Sequence, residues 1–156
     1  MSRLIYEQLS GTIIGIGMEV LNELKPGLDE KLYERAMVIE LRRRGHAVEA
    51  QREFPVFYRN EPIGHLTPDL IVDDKIIIDP KVVVAFNEAH VAQMVGYLTI
   101  SGLELALLLN FKGAKLEWKR VVQQHKQEPD SPDLYANSSR IRDIRVIRGS
   151  LNQPWR

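Results

Sequence analysis

Apolar side chains in the first two dozen residues fall at Ile5, Leu9, Ile13, Ile16, Val20 and Leu24. Steps of three and four put them on one helical face, so the spacing predicts a helix over 2–24. Gly11, Gly15 and Gly17 lie inside it and weaken it by about 1 kcal/mol each relative to alanine. Close packing against a neighbour is the return they could give. Lys25-Pro26-Gly27 ends the element, because a residue before proline disfavours helical dihedrals. A second helix is expected over 29–44, with Leu32, Ala36, Ile39 and Leu41 among its apolar positions and Gly45 as its cap.

The period then changes. Residues 48–58 read as a strand interrupted at Pro55, and Arg59-Asn60-Glu61-Pro62 as a turn. A second strand is expected over 63–72, followed by a tight hairpin turn at Asp73-Asp74-Lys75. Lys75-Ile76-Ile77-Ile78-Asp79 opens a third strand, whose continuous apolar run implies burial on both faces. Val82-Val83-Val84 could continue it. Asn87 is a good N-cap for a helix ending near Ser101-Gly102. An apolar, central strand over 103–111 follows, then a partner over 115–122. The order α-α-β-β-β-α-β-β predicts an α/β fold, a mixed sheet flanked by helices.

Composition bounds this picture without changing it. A chain of 156 residues, 44% hydrophobic and 27% charged, can bury one substantial core. Residues 1–122 read as one domain. Residues 123–156 read as a polar linker around Glu128-Pro129-Asp130-Ser131-Pro132-Asp133 and an extension able to add an edge strand or dock on a partner. Without cysteine there is neither a disulfide framework nor a thiolate metal site. No apolar run approaches the roughly 20 residues that span a bilayer, and the opening residues lack a signal-peptide layout, so the expectation is a cytoplasmic protein. The 21 basic residues balance 21 acidic ones, which argues against general phosphate-driven binding. From Lys112 onward, however, ten Lys and Arg face five Asp and Glu, a net +5. The acidic excess lies upstream, where a cation site would want it.

Charge inside the apolar strand points to chemistry. Asp79 and Lys81 interrupt the runs Ile76-Ile77-Ile78 and Val82-Val83-Val84, and charges there are expensive unless paired or metal-bound. Pro68-Asp69 lies on the preceding strand, and a short hairpin can bring Asp69 beside Asp79. Two such carboxylates repel unless a cation separates them, and Mg²⁺ accepts a few carboxylates plus waters and phosphate oxygens. Lys81, two residues from Asp79, shares its face. The other reading leaves Asp69 and Asp79 as solvated strand-end residues with Lys81 as their surface ion pair. His46, His65 and His125 have no ligand-like spacing, and Trp118 and Trp155 read as core or edge packing before base stacking.

Three ordered motifs then carry a resemblance. Gly27-Leu28-Asp29-Glu30-Lys31-Leu32-Tyr33 matches the GxxExxY signature of a family of small bacterial proteins. Pro68-Asp69-Leu70-Ile71-Val72 with Lys75-Ile76-Ile77-Ile78-Asp79-Pro80-Lys81 resembles that family's nuclease motif, and so does His90-Val91-Ala92-Gln93-Met94-Val95-Gly96-Tyr97-Leu98. The resemblance spans about 13–122 and implies a restriction-endonuclease-like fold of the PD-(D/E)XK nuclease superfamily. It implies metal binding by Asp69, Asp79 and the Pro80 carbonyl, with Glu30 as a further acid acting through water. Glu30 can also be read as an exposed helix-start glutamate stabilised by the helix dipole. Gln93 and Tyr97 resemble a QxxxY pair of RecB-type nucleases that supports substrate and site, although packing on the sheet is the alternative. The chain departs from the family in carrying Asp79-Pro80-Lys81 where Glu-Leu-Lys is usual. Proline keeps the carbonyl but loses a ladder donor.

The implied function is Mg²⁺- or Mn²⁺-dependent hydrolysis of nucleic acid, DNA ahead of RNA. The catalytic set would be Glu30, Asp69, Asp79, Lys81, Gln93 and Tyr97. The competing reading is an inactive module of the same fold that binds nucleic acid or a protein partner. A homodimer through the glycine-bearing first helix and the arginine-rich tail is a third.

Overall fold

The computed structural model describes residues 4–125 and 142–147. Helices α1 (Glu7–Leu24) and α2 (Glu30–Arg43) open the chain, and α3 (Glu88–Ser101) follows the fifth strand. The strands are β1 (Val48–Ala50), β2 (Phe54–Tyr58), β3 (Glu61–Leu66), β4 (Leu70–Val72), β5 (Ile76–Lys81), β6 (Leu105–Asn110), β7 (Glu117–His125) and β8 (Arg142–Ile147). Six of them form one sheet in the order β1-β4-β5-β6-β7-β8, and β2 and β3 form a separate hairpin. Every pairing in the large sheet is antiparallel except β5 with β6. That one parallel pair requires a crossover, which α3 supplies. The mixed sheet flanked by helices is therefore as the pattern predicts.

The finer assignments are corrected in four places. α1 begins at Glu7 and not at 2, because Tyr6 takes a left-handed backbone, φ 51. Residues 48–58 do not run as one strand, because Gln51 takes a left-handed backbone, φ 59, and turns the chain out of the sheet. Residues 63–72 divide at Thr67-Pro68-Asp69, where proline offers no ladder donor. The outer pieces pair with one another as the β2–β3 hairpin, and the inner pieces, β1 and β4, join the main sheet. Val82-Val83-Val84 does not extend β5. It leaves the sheet, and Val84 is exposed.

Alternation along the strands sorts the core into two layers. Ile71, Ile77, Ala106, Leu108 and Val121 face α3, which contributes Val91, Met94 and Leu98. Leu70, Ile78, Leu107 and Leu109 face the other way, against Ile13, Ile16 and Val20 of α1 and Tyr33, Met37 and Leu41 of α2. Leu32 and Ile39 of α2, apolar by sequence, are exposed. Of the tail, 142–147 pair with β7 as the edge strand β8. The linker over 126–141, residues 148–156 and Trp155 lie outside the described residues. Trp118 packs partly buried against the core.

Only one glycine of α1 marks a close approach. A Cβ on Gly17 would sit 2.9 Å from Leu116 Cδ2, whereas Gly11 and Gly15 face open space. Gly15→Ala should therefore stabilise the protein by about 0.5–1 kcal/mol through helix propensity. Gly17→Ala should recover less, because Leu116 must give way. Urea denaturation of the two variants measures the difference.

Candidate active site

The same alternation that buries Ile71 and Ile77 beneath α3 decides where the charged residues point. Asp69 lies two residues before Ile71, and Asp79 and Lys81 lie two and four after Ile77, so all three share the α3 face. Leu70 pairs with Ile78, and one further step of this antiparallel register sets Asp69 opposite Asp79. Sequence spacing alone allowed that meeting; the register produces it.

Asp79 is only 2% exposed. Burial pushes its carboxyl up to about 7; Lys81 pulls against the rise, and the neighbouring Asp69 carboxylate adds to it. Lys81 Nζ stands 3.3 Å from Asp79 Oδ1, an ion pair not aligned as a hydrogen bond, and Oδ1 has no hydrogen-bond partner. The Lys81 ammonium instead donates to Gln93 Oε1 at 3.1 Å, and Gln93 Nε2 donates to the Tyr97 hydroxyl at 3.0 Å. Gln93 and Tyr97 are one helical turn apart on α3, so this relay is rigid at its base. Burial raises the Tyr97 phenol, and the Asp79 and Asp69 charges raise it further. His90, a turn earlier, closes the N-terminal capping box with Asn87, its Nδ1 accepting from the Asn87 N–H. Its imidazole is pushed down by burial and then by Lys81.

From the other side of the sheet, α2 brings Glu30 to its N-terminus. The buried Tyr33 anchors the loop before it: its hydroxyl donates to the Lys25 carbonyl at 2.6 Å and accepts from the Leu28 N–H at 3.1 Å. Partial burial raises Glu30; Lys81 opposes the rise, Asp69 and Glu34 reinforce it, and a bond from the Val82 N–H counters it. Glu30 is thus near enough to Lys81, Asp69 and the residue after β5 to share their electrostatics. Among the described residues, no three His, Asp or Glu side chains are gathered as a ready-made metal cage. The acids that meet are Asp69 and Asp79, with Glu30 outside them.

Pro80 is buried in an interior strand yet costs little there. The Lys81 carbonyl faces β6, where it accepts from the Phe111 N–H at 2.9 Å. Backbone groups alternate along a strand, so the nitrogen and carbonyl of Pro80 face the β4 side. β4 pairs with β5 only as far as Ile78, so no ladder bond is lost at Pro80. The departure from Glu-Leu-Lys thus leaves a carbonyl pointing toward the Asp69 side.

Three further side chains shape the site without belonging to a motif. Glu34 of α2 is only 5% exposed, and Gln51 bridges it to Asp69. Asn110, buried at the end of β6, clasps Val83 in both directions, accepting from its N–H at 3.2 Å and donating to its carbonyl at 2.8 Å. That clasp bends the chain away immediately after Lys81. The sequence places Glu34 on the face of Glu30, but nothing in it flags Gln51 or Asn110, whose roles depend on partners 18 and 27 residues away.

The geometry converges with a family comparison. The model of the PD-(D/E)XK nuclease superfamily matches residues 7–121. The chain belongs to the PD-(D/E)XK nuclease superfamily. Members of this nuclease superfamily generally use divalent metals, and the residues here fit one: two facing carboxyls, one with a buried oxygen lacking a hydrogen bond. The chain is also similar to the crystal structure of an alkaline exonuclease from Laribacter hongkongensis, at 12% identity and a TM-score of 0.44, over 77% of this chain and 71% of that one. No curated protein matches it significantly. No helix among the described residues is long and apolar enough to cross a membrane.

Proposed function

We propose that this superfamily member is an active, metal-dependent nuclease of the GxxExxY kind, cutting phosphodiester bonds of DNA ahead of RNA with Mg²⁺ or Mn²⁺. Asp79 carries the reading: it is buried, faces Asp69 and keeps one oxygen without a hydrogen bond. A carboxylate in that position is costly unless a cation compensates it. Asp69, Asp79 and the Pro80 carbonyl would hold the ion, with Glu30 reaching it through water. Such a set leaves several positions for waters and phosphate oxygens, as Mg²⁺ requires. When bound, the cation supplies an acidified water and neutralises charge on the phosphate. Lys81, steered by Gln93 and Tyr97, places its ammonium beside the reacting phosphate and stabilises the charge that develops there.

The test uses purified protein with Mg²⁺ or Mn²⁺ on labelled single-stranded, duplex and branched DNA and on RNA of the same sequence. Metal-dependent cleavage of DNA is expected, lost with a chelator and in Asp69→Asn. A protein that cuts none of these substrates, and gives no heat of Mn²⁺ binding in calorimetry, defeats the proposal.

One observation favours a second reading. Lys81 already pairs with Asp79, and among the described residues no three acids are gathered, as would suit an inactive module that binds nucleic acid or a protein. Binding of DNA in a gel-shift assay without metal uptake or cleavage is its signature.

A further inference from the structure

Gln51 ends β1 with a left-handed backbone, φ 59. That region is uncommon for residues other than glycine, asparagine and aspartate. Backbone strain of this kind persists where the surroundings over-determine it, and it gathers at functional sites. Here the surroundings are acids. The Gln51 N–H donates to the main-chain carbonyl of Asp69 at 3.0 Å. Its side-chain Nε2 donates to Asp69 Oδ1 and to Glu34 Oε1, both at 3.3 Å. One residue therefore holds Asp69 by main chain and side chain together, and ties it to a buried acid of α2.

We infer that Gln51 is a positioning residue for the nuclease site, orienting the Asp69 carboxylate toward Asp79; the inference rests on the nuclease reading above. The amide suits the task for a chemical reason. It offers two donors and no charge, so it can bridge two carboxylates without cancelling the negative charge that attracts a cation. A lysine there would compete with the metal, and a glutamate would add a third repelling acid. With Oδ1 engaged by the amide, Oδ2 of Asp69 is left for the ion. The left-handed turn is what aims the amide inward, since the same turn sends the following residues outward into the β2–β3 hairpin.

Gln51→Gly separates this role from a structural one. Glycine accepts the left-handed backbone and keeps the N–H bond to Asp69, but removes the amide. In the metal-free protein, Gln51→Gly should have a Tm equal to or above that of the unmodified chain. Its Kd for Mn²⁺, read by calorimetry, should rise about 10-fold, and kcat on DNA should fall about 10–100-fold. KM should move less than about twofold, because the contact is to a metal-binding acid and not to substrate. Gln51→Asn, which tolerates the backbone and retains a shorter amide, should recover part of both losses. If Gln51→Gly binds Mn²⁺ and cuts DNA as well as the unmodified protein, the inference is overturned and the nuclease reading stands. An unmodified protein that neither binds Mn²⁺ nor cuts removes both.

Discussion

Replacing Lys81 by alanine should lower kcat for DNA cleavage by about 10²–10³-fold, the loss seen when one preorganised electrostatic contact to a transition state is removed. The size follows from how the ammonium is held. Its side chain is 14% exposed, so water screens it weakly, and the bond to Gln93 and the proximity of Asp79 fix its position before substrate arrives. Charge placed in advance costs little reorganisation during the reaction. Lys81→Arg should recover little, because a planar fork on a longer stem does not reproduce a compact ammonium bonded to Gln93. KM should change less than kcat if the contact strengthens in the transition state. Steady-state kinetics with Mn²⁺ reads both constants; an unchanged kcat in Lys81→Ala would remove this residue from the chemistry.

A second large effect is expected at Asp79, with opposite signs for stability and activity. Burial pushes its carboxyl in the folded state up to about 7, from the ordinary value of 3.8. Between those values the native protein keeps a proton that the unfolded chain releases. The native state therefore binds more protons, and stability falls as pH rises through that window. Above it, the metal-free fold carries an ionised, buried and under-compensated carboxylate. Asp79→Asn removes that charge while keeping the shape. The variant should accordingly be more stable than the unmodified protein at pH 8, by on the order of a few kcal/mol, and about equal to it at pH 4. Mn²⁺ should reverse the ranking, stabilising the unmodified protein by mass action but not the variant. Cleavage should be abolished. Thermal denaturation at the two pH values, with and without Mn²⁺, checks every part. An Asp79→Asn protein less stable at pH 8 without metal would show that the Lys81 ion pair outweighs burial.

These effects trade stability for function at one residue, which is how the charged interruption in an apolar run becomes intelligible. Asp79 and Lys81 were legible as a site because charge between Ile76-Ile77-Ile78 and Val82-Val83-Val84 breaks the local pattern without a local reason. Gln93 and Tyr97 were legible because helical spacing alone puts them on one face, and the structure hydrogen-bonds them to each other and to Lys81. Glu30 was legible by motif, and the structure gives it electrostatic contact with Lys81 and Asp69 without gathering three acids among the described residues. Gln51 and Asn110 carried no comparable signal. Each is an ordinary polar residue at the end of a short strand, and its importance arises from what the fold brings alongside.

Sequence by itself determined the helices and most of their ends, since Lys25-Pro26-Gly27, Gly45, Asn87 and Gly102 act on the backbone within a few residues. The start of α1 at Glu7, after a left-handed Tyr6, carried no such signal. It also determined which strand is buried on both faces and which face Asp79 and Lys81 share, because the two-residue period is local. Tertiary structure decided the rest. It split the two long apolar stretches into an inner sheet pair and an outer hairpin, since a left-handed Gln51 and the proline at 68 stop the ladders where pairing would otherwise continue. It set Asp69 opposite Asp79 through a register fixed by Leu70 and Ile78. It turned Pro80 toward the side where no partner strand runs. Side-chain burial and long-range hydrogen bonds raise Asp79, hold Asp69 and aim Lys81, and these depend on distances that no stretch of sequence contains.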